Sequence, residues 1–248
     1  VSQVKWNVEH LEEVDSTNTW LGARAREGAP TGLVVFSDYQ SAGRGRLDRA
    51  WRAPSGTSLL CSALLDLPVS STPPQWLIVA AALSVCDALE ELTESRPTLK
   101  WPNDVLYGEL KVAGLLADVV DSSTPSRVVV GLGLNLTEVD STLESATTVL
   151  AQTGEALAPA QVLRPYLDAL ARRRGGMDTP AGVATLSQEY SLALATLGRR
   201  VRVELAGDVV RGRAVGVDDQ GALLVDTGES VRTFRAGDVV HVRREDEE

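Results

Sequence analysis

The chain has 248 residues, 44% of them hydrophobic and 23% charged, with a formal net charge of −10. That length and composition suit a folded protein with a sizeable core, built as one large domain or as one domain plus a small one. The acidity argues against a general nucleic-acid binder, which carries a broad basic face.

No apolar run approaches the ~20 residues of a membrane span, and "VSQVKWNVEHLEEVDSTN" lacks the apolar core of a signal peptide, so a cytoplasmic protein without membrane contact is expected. Cys61 and Cys86 lie in apolar stretches. One disulfide would be possible, but two buried thiols are the expectation.

Residues 4–14 are short, mixed and extended in character. "DSTN" (15–18) then supplies four N-cap residue types, and a helix follows to Arg26 and stops at Gly28. "GLVVFSDYQ" (32–40) reads as a strand and runs straight into "SAGRGRLDRAW" (41–51). "SGTSLLCSALLDL" (55–67) is a buried strand, and Pro73-Pro74 opens a helix over 75–92. "TLKWPNDVLY" (98–107) is a strand broken by Pro102, and two more strands cover 109–120 and 126–136. Amphipathic helices are predicted around 158–174 and 179–194. After Leu197, short β-branched runs alternate with turn signals such as Ala206-Gly207-Asp208 and Asp219-Gln220-Gly221, the pattern of a small barrel.

A dinucleotide fingerprint starting at Gly43 would need glycine at position 48, which is Asp48, and no helix follows. "GLGLN" (131–135) fails the same test, and no P-loop occurs. Two readings of "GRGR" remain: a solvated turn, or a cationic loop in which glycines let backbone N–H groups and arginine forks meet an anion. Its place directly after a strand favours the loop. Lys111, inside an otherwise apolar strand, needs a partner or an outward face. His10 and His241 belong to no pattern for metal binding or nucleophilic catalysis.

Together "DSTN", "Q-x-x-GRGR-x-x-R-x-W", "KWPND" (100–104), "LK-x-AGLL" and "GLGLN" resemble, in order and spacing, the biotin protein ligases. The resemblance covers about residues 12–150, and the C-terminal pattern agrees for the remainder. It implies an α+β fold. Residues 1–197 would form a catalytic domain like that of class II aminoacyl-tRNA synthetases, a mixed sheet with packed helices. Residues 198–248 would form a small SH3-like β-barrel.

The implied reaction has two steps. Biotin and ATP·Mg²⁺ give biotinyl-5′-adenylate and pyrophosphate, and a lysine of a biotin carboxyl carrier domain then displaces AMP. Magnesium ATP and biotin are substrates, and no tightly bound prosthetic group is expected. The first step brings two anions together, so Arg44, Arg46 and Lys111 would act by neutralising and aligning them. By resemblance Lys111 is the central cation. Ser16, Thr17, Asn18 and Gln40, with the Gly43–Arg46 backbone and side chains (Gly45 included), would hold biotin's polar end. Trp101, Gly114 and Leu115 would flank its apolar part. Trp51 would stack on adenine, Asn103 and Asn135 would contact the adenylate, and Arg49 would reach phosphate. Asp104 would support Mg²⁺ or the acceptor lysine.

Two departures stand out. Asp48 occupies a position where the family pattern has glycine, and it could pair with Arg46 or Arg49. Only fifteen residues precede Ser16, so no winged-helix DNA-binding domain and no nucleic-acid partner are expected. Monomer and homodimer both stay open. The competing readings are a lipoate-protein ligase, which shares the fold, a non-enzymatic binding module, and a nucleic-acid regulator.

Overall fold

The computed structural model describes residues 4–67, 72–121, 126–140, 142–205 and 207–242. Strand β1 (Asn7–Val14) leads into α1 (Thr17–Arg26), β2 (Leu33–Gln40) and β3 (Ser58–Asp66). Helix α2 (Gln75–Thr93) follows, then the short strands β4 (Thr98–Lys100) and β5 (Asp104–Tyr107), then the long β6 (Leu110–Asp121) and β7 (Arg127–Asn135). Helices α3 (Val149–Thr153), α4 (Pro159–Gly176) and α5 (Pro180–Ala193) complete the larger unit.

Its sheet runs β1-β2-β3-β7-β6-β5-β4. The β1–β2 pair is parallel and the remaining neighbours are antiparallel, so the sheet is mixed, as expected. "TLKWPNDVLY" is not one bent strand. Pro102 cannot donate to a ladder, and the chain turns back there, pairing Lys100 with Asp104 in a hairpin.

Side-chain alternation explains the nearly continuous apolar character of β7. Val128, Val130, Leu132 and Leu134 join the core beneath α2 and α4, whereas Val129 joins a second cluster around Leu21 and Ala25 of α1. Gly131, Gly133 and Asn135 share the face of Val129 and continue past the end of α1. That stretch, where Asn18 and Trp51 approach glycines that carry no Cβ, is the floor of the site.

Strands β8 (Arg200–Leu205), β9 (Asp208–Val217), β10 (Leu223–Asp226), β11 (Val231–Phe234) and β12 (Asp238–His241) form a separate antiparallel sheet in the order β11-β10-β9-β8-β12. Its core is continuous with the larger one: Val201, Val203, Leu223 and Val225 belong to the same buried cluster as Trp76 and Trp101. Both indoles donate across the junction, Trp76 Nε1 to Asp219 O and Trp101 Nε1 to Gly221 O, each at 3.0 Å. Among the described residues no helix is long and apolar enough to cross a membrane.

Candidate active site

A cavity of about 400 Å³ opens over the glycine stretch of β6 and β7. The start of α1, the Gly/Arg loop, the β4–β5 hairpin, Val139, Leu143, Ser145 and Ala146, and the edge of β12 all reach it. Segments scattered from position 16 to position 240 therefore meet in one place.

The floor is a cross-strand glycine pair, Gly114 of β6 opposite Gly133 of β7. A Cβ on Gly133 would stand 2.3 Å from Trp51 Cε2, and one on Gly114 would stand 3.1 Å from Trp51 Cζ3. Glycine is needed here because the indole of Trp51 lies against the sheet. Among the described residues the buried Trp51 Nε1–H has no acceptor, so it is a donor that a ligand or water oxygen can satisfy.

The loop carrying Trp51 is folded. Trp51 N donates to Gly43 O at 2.9 Å and Gly45 N to Arg49 O at 2.7 Å, around a single turn at Arg46–Asp48. Leu47 and Asp48 take φ of 52° and 58°. Asp48 thus sits in the left-handed region that favours glycine, which gives a backbone reason for the glycine expected there.

Among the described residues Asp48 makes no ion pair, and this corrects the expected pairing with its neighbours. Arg49 pairs with Asp238 of β12. Arg46 donates to Asn103 Oδ1 at 3.2 Å and to Gly237 O at 3.3 Å. Burial lowers the basicity of Arg46, opposed by nearby Asp238 and Asp104; a guanidinium stays charged nonetheless.

Lys111 finds the partner its apolar strand called for: Nζ lies 2.6 Å from Asp104 Oδ1 and 5.6 Å from the Trp51 ring centroid. Its backbone is fixed on the other side, N to Ser145 O and O to Thr147 N, each at 2.8 Å. Arg44 pairs with Asp118 at 3.2 Å. Three of these cations, Arg44, Arg49 and Lys111, are thus held by single carboxylates that an incoming anion can replace.

At the inner end, Ser16 takes the N-cap position of α1 without a side-chain cap bond and is among the residues that line the cavity. Gln40 Oε1 accepts from Thr17 N at 2.8 Å and Thr17 Oγ1 at 3.0 Å. Asn103 Nδ2 donates to Leu115 O at 2.6 Å and Asn135 Nδ2 to Thr147 O at 3.1 Å. Both amides therefore brace the cavity wall as well as lining it. Trp101 reaches the cavity edge, but its ring is buried and tied to Gly221; it is first of all a junction residue. Gly43 sits behind the wall, where a Cβ would stand 2.4 Å from Trp51 O.

Sequence reasoning missed Asp118, Asp238, Val139, Leu143, Ser145 and Ala146, because isolated carboxylates and small or apolar residues there carry no motif. It also left the two histidines without roles. His10 stacks on Phe36 and meets Asp38 at 2.9 Å. His241 lies between Thr196 (3.2 Å) and Glu109 (3.4 Å) at the junction of the two sheets.

A family model described as the biotin/lipoate A/B protein ligase family matches residues 11–135, and one for the biotin protein ligase C-terminal domain matches residues 196–242. The chain belongs to the biotin/lipoate A/B protein ligase family. It is 38% identical to a biotin--[acetyl-CoA-carboxylase] ligase of Mycobacterium tuberculosis over 94% of this chain and 88% of that protein. It is 29% identical to a bifunctional ligase/repressor of Bacillus subtilis over 91% of this chain and 71% of that one. The biotin protein ligase of Aquifex aeolicus, solved with biotin and ATP, superposes with a TM-score of 0.82 at 30% identity, covering 96% of this chain and 99% of that one.

Proposed function

We propose that this protein is an ATP-dependent biotin ligase that transfers biotin to a lysine of a carboxylase carrier domain through biotinyl-5′-adenylate. The observation that carries the reading is the row of four cations, Arg44, Arg46, Arg49 and Lys111, along one cavity with a small polar pocket at its inner end.

Biotin's cyclic urea meets Ser16, Thr17 and Gln40, and its thiophane ring and valeryl chain run beside Leu115. Arg44, Arg46 and Lys111 draw the biotin carboxylate and the α-phosphate together. The carboxylate oxygen then attacks phosphorus and pyrophosphate leaves. The contribution of these residues is alignment and charge neutralisation, with no covalent enzyme intermediate. As the phosphates enter, Lys111 exchanges Asp104 for the reacting oxygens, and Asp104 is released to receive the proton of the acceptor ammonium. Arg49 turns from Asp238 to phosphate, and the exposed face of Trp51 stacks on adenine.

Among the described residues no group of three or more potential ligands could hold a metal ion. Mg²⁺ would come with ATP and supply charge neutralisation at the phosphates, and Asp104 would be the carboxylate that supports it. In the second step the acceptor lysine attacks the mixed anhydride and AMP leaves. The reading gives the protein no nucleic-acid partner.

Incubation with biotin, Mg·ATP and a biotin carboxyl carrier domain should add one biotinyl group to a single lysine, seen by intact mass. Modification by lipoate instead, or no biotin-dependent ATP–pyrophosphate exchange, would overturn the reading.

A further inference from the structure

Lys100, the last residue of β4, also lines the cavity. Its strand is the margin of the large sheet. β5 holds that strand on one side and the 194–196 segment on the other: Ala195 N donates to Leu99 O at 2.8 Å, and Trp101 N donates to Thr196 Oγ1 at 3.1 Å. The backbone that carries Lys100 is therefore fixed.

Strand register puts Lys100 in the same row as the glycine floor. Lys100 pairs with Asp104, Asp104 with Gly114, and Gly114 with Gly133. Directly paired residues share a face of the sheet. The row thus runs from the glycines under Trp51, past the carboxylate that holds Lys111, to Lys100 one strand spacing of about 4.8 Å further on. Asp104 stands opposite Lys100 in the ladder, yet its carboxylate pairs with Lys111. Among the described residues Lys100 makes no ion pair, whereas Arg44, Arg49 and Lys111 each face a carboxylate. An anion that reaches Lys100 has no existing pair to break.

The direction of the chemistry gives that amine a partner. The polar pocket stands over the other side of the sheet: Gln40 ends β2, Ser62 of β3 bonds Thr17 Oγ1 at 2.8 Å, and Asn18 lies over Gly131 of β7. A carboxylate entering from there attacks the α-phosphorus. The bond from phosphorus to the bridging oxygen breaks on the opposite side, and its electron pair leaves on pyrophosphate. The leaving group consequently moves across the sheet toward β4.

We infer that Lys100 is a further catalytic residue of adenylate formation: its ammonium binds the β- and γ-phosphates of ATP and neutralises the charge that grows on pyrophosphate as it leaves. The inference rests on the biotin reading. It divides the cations by step. Arg44, Arg46 and Lys111 stay with the carboxylate and the α-phosphate, which remain in the adenylate. Lys100 serves the group that departs, so transfer of biotin from the adenylate to the carrier does not use it.

Biotin-dependent ATP–pyrophosphate exchange, with pyrophosphate varied, should be measured for the unmodified protein, for Lys100→Met, which keeps the apolar stem, and for Lys100→Arg, which restores the charge. Transfer from synthetic biotinyl-5′-adenylate to a biotin carboxyl carrier domain is measured in parallel and also reports an intact fold. Lys100→Met should raise KM for pyrophosphate at least about tenfold, the worth of one charged hydrogen bond, and leave transfer from the synthetic adenylate unchanged. Lys100→Arg should recover most of that loss. An unchanged KM for pyrophosphate in Lys100→Met, equal losses in exchange and transfer, or a Lys100→Arg variant as impaired as Lys100→Met would overturn the inference alone. Absence of biotin-dependent exchange in the unmodified protein would overturn the biotin reading with it.

Discussion

Gly133→Ala tests the placement of Trp51 with one methyl group. The new Cβ would lie 2.3, 2.7 and 2.8 Å from three atoms of the indole, distances at which the ring must move. Gly133 itself cannot retreat, because its strand is paired with β3 on one side and β6 on the other. Overpacking inside a fixed core costs about 1–3 kcal/mol. Trp51 sits on a loop and can lift away, so the stability cost should fall near the lower end, about 1 kcal/mol or 2–4 °C in Tm for a chain of this size.

The functional cost should be larger than the stability cost. A base–aromatic stack is worth about 1–3 kcal/mol, which converts to a rise of about 5- to 150-fold in KM for ATP. Biotin-dependent ATP–pyrophosphate exchange reads that KM, and calorimetric unfolding reads the stability. Gly176→Ala is the matched control, since a Cβ there meets nothing within 4 Å. An unchanged KM for ATP in Gly133→Ala would refute both the close contact and the role given to Trp51.

Lys111→Ala should reduce adenylate formation by at least about 100-fold, in the range of a lost transition-state donor; pyrophosphate exchange measures it, and an intact melting transition shows that the fold survives. Asp48→Gly places the residue suited to φ of 58° and breaks no ion pair; Tm should stay level or rise slightly, and biotin affinity by calorimetry should stay within threefold. At the sheet junction, burial, together with Lys100 and Arg199, lowers the His241 pKa, and Arg199 and His241 lower that of Glu109 against its own burial. For both groups the unfolded chain binds protons more readily than the folded one. Stability is therefore full above pH ~7 and falls as pH drops through the ordinary histidine range near 6.5 and then the carboxylate range. Urea unfolding at pH 7.5 and pH 5.5 should show that loss, and His241→Gln should reduce the drop between those two values.

The order of elements, the cationic loop and the conjunction of motifs were legible in the sequence. Each is local: caps, strand periodicity, and short spacings that one segment carries by itself. "GLGLN" already contained its own explanation, since alternation sends leucines to the core and glycines to the other face. What lay over those glycines was not legible. Trp51 against Gly133 and Asn18 against Gly131 are contacts between distant segments, and nothing near either glycine announces them.

The carboxylates show the same division. Arg44, Arg46, Arg49 and Lys111 stood out in an acidic chain because positive charge was concentrated against the background. Asp118 and Asp238, which hold two of them, were hidden because acidic residues are that background, whereas Asp104, the partner of Lys111, showed only as part of "KWPND". Sequence determined which groups carry the charge, since residue type and local spacing suffice for that. Tertiary structure decided which carboxylate each cation meets and which way each amide points, because those depend on the closure of loops between strands far apart in the chain.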